Sequence, residues 1–193
     1  RCHLRNARRG GSTCRGAAAT TAATCGVGDG PSGGPSEGCV QSRAMTSWNH
    51  VGHSVSDLDR SIRFYGEVFG FSERNRLQIP DGVASRLLRV PEPVGLTAVY
   101  LTLGDAVLEL LHFDRPGNEA ARERPLTEPG LTHVSFTVDD VAAACARVVD
   151  RGGEVLVDTD MGGFAILVRD PDGQVLELLP PGALDAVSQG SGA

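Results

Sequence analysis

The sequence predicts an α+β fold of two tandem βαβββ modules, whose curved mixed sheets enclose a cavity with a metal site. Three observations point to it. A pattern of strand, helix and three further strands starts near residue 45 and starts again near residue 131. Each copy ends in a glutamate set among leucines, Leu108-Glu109-Leu110 in the first and Leu176-Glu177-Leu178 in the second, and each opens on a histidine, His50 and His133. A lone carboxylate in an apolar strand is costly to bury unless something pairs with it, so a repeated histidine-to-glutamate arrangement suggests a metal held between duplicated units.

Residues 1–44 mix Arg, Gly, Ser, Thr, Ala and Pro with almost no large apolar side chains, and are expected to be a disordered or non-native tail. Arg8-Arg9 ahead of an alanine-rich stretch invites a targeting reading, but the threonines and glycines leave no apolar h-region. Met45, directly before the first patterned strand, is read as the natural start.

The first module spans 45–115. Residues 48–55 read as a strand, and Ser56 with Asp59 as a capping box. The helix carries Leu58, Ile62, Tyr65 and Phe69 and ends near Gly70. Residues 71–77 form the second strand, 80–95 a Pro/Gly-containing loop with Arg86 and Arg89, and 96–103 the third strand. Gly104-Asp105 is a two-residue hairpin signal leading into the fourth, 106–113.

Residues 116–130 are polar, carry three prolines and read as a linker. The second module, 131–181, repeats the order. A strand at 131–138 is followed by a helix capped by Asp139 or Asp140 and ended by Gly152-Gly153, then by strands at 155–158, 164–168 and 174–179. Asp170-Pro171-Asp172-Gly173 is a hairpin turn, in which proline presets one dihedral and glycine accepts the left-handed one. Residues 182–193 form a flexible end.

Composition narrows the function classes. All 18 basic residues are arginine, and the net charge of -6 divides into +4 for residues 1–44 and -10 for the rest, an acidic body that argues against nucleic acid as partner. No apolar run is long enough for a membrane helix. Four of the five cysteines, Cys2, Cys14, Cys25 and Cys39, lie in the tail without a C-x-x-C pair, and Cys145 sits among alanines on the second helix. A reducing, cytoplasmic setting is expected.

Strand parity tests the metal reading. One sheet face must pack on the helix, and Val51, His53 and Val55 share that face, so His50 points the other way with Gly52 and Ser54. Val134, Phe136 and Val138 do the same in the second module and leave His133 with Ser135 and Thr137. Glu109 and Glu177 likewise oppose the leucines flanking them, whereas His53 and His112 fall on the apolar side. Two imidazoles and two carboxylates suit a divalent Ni, Zn, Co, Mn or Fe ion, with positions left for substrate oxygen.

The run from Asn49 to Tyr65, with Asp170-Pro171-Asp172-Gly173 and Leu176-Glu177-Leu178, resembles the opening and the end of the vicinal oxygen chelate superfamily of glyoxalases, bleomycin-resistance proteins, extradiol dioxygenases and methylmalonyl-CoA epimerases. The resemblance implies that His50, Glu109, His133 and Glu177 are the metal ligands of a bacterial-type glyoxalase I. It implies a small-molecule substrate and a lyase or isomerase reaction, in which a carboxylate removes a proton acidified by metal-held oxygens. Glu177, or Glu109 across the near-symmetric site, is the expected base, and a homodimer is the expected assembly. Alternatives within the resemblance are an epimerase, an Fe(II) dioxygenase and a non-catalytic drug-binding protein.

Overall fold

The structure, a computed structural model, describes residues 46–118 and 125–183. The expectations for residues 1–44, Met45 as a start, and most of 182–193 lie outside them. Among the described residues no helix is long and apolar enough to cross a membrane.

The first module contains β1 (Val51–Ser54), α1 (Leu58–Phe69), β2 (Ser72–Ile79), α2 (Asp81–Leu88), β3 (Leu96–Leu103) and β4 (Ala106–Phe113). The second contains β5 (Val134–Thr137), α3 (Val141–Asp150), β6 (Glu154–Leu156), a 3-10 turn at Val157–Thr159, β7 (Ile166–Arg169) and β8 (Val175–Leu179). Each module forms one four-stranded sheet, in the orders β1-β4-β3-β2 and β5-β8-β7-β6. The first strand of each module pairs parallel with the last, and all other pairs are antiparallel.

Three local expectations are corrected. Asp57, not Ser56, caps α1, its carboxylate accepting from Arg60 N at 2.9 Å, because Ser56 is recruited by a carboxylate of the other module. The loop expected at 80–95 contains a helix. Pro80 presets the entry to α2, and Ala84, Leu88, Val90 and Val94 bury themselves against Ile79, Leu96, Leu111 and Phe113, so tertiary packing outweighs the local glycine and prolines. The outer strands are shorter than their apolar runs, because the parallel ladders begin only where Val51 meets Leu108 and Val134 meets Leu176.

The helix faces of both sheets meet in a single core. Phe64, Tyr65 and Val68 of α1 and Ala144 and Val148 of α3 pack with Val99, Leu101, Leu108 and Leu110 from one sheet and Ile166, Val168, Leu176 and Leu178 from the other. Each large side chain buried there contributes about 1.5–3 kcal/mol. Phe69 stacks on Phe136 at 4.1 Å between ring centroids, which joins α1 directly to β5. Gly153 lies so close to this seam that a Cβ would stand 2.5 Å from Arg169 O and 2.7 Å from Val148 Cγ1.

The hairpin between β7 and β8 clasps the two modules. Asp170 and Asp172 are 3% and 4% exposed, and buried carboxylates persist only when fully partnered. Asp170 Oδ1 accepts the Asp172 and Gln174 N–H groups of its own turn, while Oδ2 receives Tyr65 OH at 2.9 Å and lies 2.8 Å from His53 Nε2. Asp172 Oδ1 accepts from the Ser56 amide and hydroxyl and from Arg60 Nη2. Every one of those first-module donors belongs to β1, α1 or the turn between them.

Candidate metal centre

Strand register places each glutamate at the middle of its sheet. Glu109 in β4 stands between Gly52 of β1 and Tyr100 of β3, and Glu177 in β8 stands between Ser135 of β5 and Leu167 of β7. The histidines sit one residue ahead of β1 and β5. His50 Nε2 reaches to 3.2 Å from Glu109 Oε2, and His133 Nε2 to 3.5 Å from Glu177 Oε2.

Each imidazole also meets a neighbouring side-chain oxygen at Nδ1. His50 Nδ1 lies 2.6 Å from Asn49 Oδ1, and His133 Nδ1 lies 3.0 Å from Thr132 Oγ1. A proton donated from Nδ1 to those oxygens leaves Nε2 with its lone pair toward the carboxylate. Two donors bound to one ion at about 2.1 Å stand about 3.0–3.4 Å apart, a range that includes the first pair at 3.2 Å and that the second, at 3.5 Å, slightly exceeds.

The hydroxyls around the carboxylates differ between modules. Ser135 Oγ donates to Glu177 Oε2 at 2.7 Å. In the first module Tyr100 faces Glu109 across the β3–β4 pair, and interaction with that carboxylate together with partial burial pushes the phenol up to about 12. Tyr100 also meets the His50 ring edge-on, with centroids 5.7 Å apart.

The structure brings His50 to Glu109 and His133 to Glu177, but it does not join the two pairs in one chain. Among the described residues no three His, Cys, Asp or Glu side chains form a group that could hold a metal ion. The reason is the shared core, in which the helix faces of both sheets are consumed against each other and the opposite faces, which carry the pairs, remain apart. A cavity of about 380 Å³ beside His133 and Glu177 is lined by Leu126, Thr132, Met161 and Leu167. Another, of about 410 Å³, lies between β1 and β5 and includes none of the four residues.

The family model described as the Glyoxalase/Bleomycin resistance protein/Dioxygenase superfamily matches residues 47–178. The chain belongs to this superfamily. Among its relatives in the superfamily, it is 29% identical over 154 residues to a lactoylglutathione lyase of Pseudomonas aeruginosa, with 73% of this chain and 88% of the relative covered. It is also 29% identical to the glutathione transferase FosA of Serratia marcescens, with 69% and 80% covered. The solved structure of the trypanothione-dependent glyoxalase I of Leishmania major matches with a TM-score of 0.55 at 26% identity, covering 72% of this chain and 90% of that one. These superfamily relatives are named as enzymes.

Within this superfamily fold, parity separated the histidines as expected. His53 is turned to the core side, where it meets Asp170 and the Tyr65 ring, and His112 lies opposite Thr97, out of step with Glu109. Sequence reasoning set Ser135 on the face of His133 without giving it a role, and missed Tyr100. Tyr100 was accessible to it: the Gly104-Asp105 hairpin sets Leu103 opposite Ala106, and three residues further from the turn Tyr100 falls opposite Glu109.

Proposed function

We propose that the chain is a metal-dependent enzyme of the glyoxalase I-like lyase or isomerase class, with His50, Glu109, His133 and Glu177 as its ligands. The single observation that carries this reading is the repeated pair, an Nε2 and a glutamate Oε at 3.2 and 3.5 Å in the two modules, each with its imidazole Nδ1 against a neighbouring side-chain oxygen. The complete site forms in a homodimer, between the first module of one copy and the second module of another. Support for the dimer comes from the common core, which turns the two ligand-bearing faces away from each other, the first of them covered in part by α2 over Leu111 and Phe113.

A divalent ion at this site supplies Lewis acidity toward substrate oxygens. The chain supplies the rest. Asn49 and Thr132 keep both imidazoles in the ligating tautomer, and Ser135 aims Glu177. Glu177 takes the proton from the substrate carbon and returns it to the neighbouring carbon, which isomerises a hemithioacetal, or to the opposite face, which epimerises a thioester. Leu126, Met161 and Leu167 form an apolar wall beside that carboxylate.

The test is elemental analysis of protein purified without chelators, followed by assays with hemithioacetals and acyl-CoA epimers. A stoichiometric divalent metal with turnover of one of these substrates is expected, and metal-free protein with no turnover after reloading overturns the reading. The similarity to a glutathione transferase motivates a second reading, conjugation of glutathione to a small electrophile. Conjugate formation without isomerase activity selects it. Oxygen uptake with a catechol, or tight drug binding without turnover, selects a dioxygenase or a resistance protein instead.

A further inference from the structure

The geometry points to Tyr100 as the positioning residue of the first half-site: its phenol, delivered from β3, holds the Glu109 carboxylate in line with His50, a task that Ser135 performs for Glu177 from the opposite neighbouring strand. This inference rests on the reading of His50 and Glu109 as metal ligands.

The repeat makes the argument, because the two glutamates occupy equivalent places and their neighbours do not match. Glu177 has Ser135 beside it on β5 and an aliphatic Leu167 on β7. Glu109 has a glycine, Gly52, on β1 and Tyr100 on β3. Each carboxylate therefore has one hydroxyl-bearing residue directly opposite it, and that residue has changed sides between modules. A carboxylate on a flexible side chain adopts one rotamer only if something engages it, and outer hydrogen bonds of this kind orient metal ligands. Tyr100 is placed to do so, opposite Glu109 in register and with its ring edge-on to His50, so one side chain neighbours both members of the pair.

Gly52 supplies a rescue. A Cβ there would lie 3.4 Å from Glu109 Oε2 and 3.6 Å from Leu111 Cδ1, ordinary contact distances, and no left-handed backbone is required. A serine at 52 thus stands to Glu109 as Ser135 stands to Glu177.

The experiment titrates metal-stripped protein with Zn²⁺ against a competing chromophoric chelator, for wild type, Tyr100→Phe, and Tyr100→Phe with Gly52→Ser. Thermal stability of the metal-free forms is measured in parallel. Tyr100→Phe is expected to weaken Zn²⁺ binding about ten-fold or more without a matching fall in metal-free stability. The double variant is expected to recover most of that affinity, which a general packing role of the tyrosine would not produce. Wild-type affinity in Tyr100→Phe, or a loss that Gly52→Ser leaves unchanged, overturns the positioning role and leaves the metal reading standing. Failure of wild-type protein itself to bind Zn²⁺ overturns both.

Discussion

Asp170 and His53 stand 117 residues apart in sequence and 2.8 Å apart at Oδ2 and Nε2, so the last hairpin of the chain is bonded to its first strand. The same oxygen receives the Tyr65 hydroxyl, and all of the carboxylate's acceptor capacity is used. Burial and the Asp170 charge keep that phenol protonated far beyond the ordinary tyrosine range.

Asp170→Asn replaces two acceptor oxygens by one acceptor and one donor, and leaves either His53 and Tyr65 or the Asp172 and Gln174 amides facing the side-chain NH2. Breaking a buried, multiply bonded charge in this way is expected to cost about 3 kcal/mol or more. Chemical denaturation of the variant against wild type checks this, with a shift in midpoint at constant slope as the expected outcome.

The same carboxylate makes stability depend on pH. Burial alone would raise the Asp170 pKa, but the His53 bond and charge, the Gln174 amide and the Tyr65 hydroxyl outweigh it and hold the group below its usual value. A depressed folded-state pKa contributes stability that is fully present above the unfolded value of about 3.9 and is lost as pH falls through the folded one. Denaturation midpoints measured from neutral pH downward should therefore fall below about pH 4, and Asp170→Asn should flatten part of that fall.

Gly153→Ala is expected to destabilise by about 1–3 kcal/mol, since the added methyl would meet backbone at 2.5 Å and no flexible side-chain end is there to yield. The clash involves Val148 and, at 3.0 Å, Phe64 of the other module, so a scan by calorimetry should show a lower unfolding temperature for the whole protein rather than for one half.

Glu177→Gln keeps the shape of the side chain and removes its basicity. Turnover should drop about 10²–10⁴-fold, the usual worth of a positioned base, while the metal content stays near that of wild type. Full turnover by a metal-loaded variant would move the base to Glu109.

Chelation should lower the unfolding temperature, and added divalent ion should restore it, because an ion that binds only the folded protein stabilises it by mass action. Differential scanning fluorimetry across a metal series also ranks the ions, a choice on which two imidazoles and two carboxylates are permissive.

Much of this fold was legible because its signals are local. The Gly104-Asp105 turn and the alternating runs on either side set β3 and β4 to the residue, and period-two parity placed His50 and Glu109 on one face and Leu108 and Leu110 on the other. Helix α2 was not legible, since its stability comes from Leu111 and Phe113, which lie well over twenty residues further on. Ser56 shows the same limit. Its spacing to Asp59 suits a cap, and only the folded chain reveals that Asp172 competes for it. The candidate ligands could be paired within each module from sequence, whereas the outward direction of both pairs depends on how the helix faces pack together.

That back-to-back packing has a genetic consequence if two copies complete the sites. Each chain would then lend its first half-site to one centre and its second to the other, with a twofold axis relating the two centres. A chain defective at Glu109 and a chain defective at Glu177 would each be inactive alone. Combined in one dimer, they would place both defects in the same centre and leave the other intact. Random mixing of the two should restore about a quarter of wild-type activity, the share expected when half of the dimers are mixed and each has one working centre.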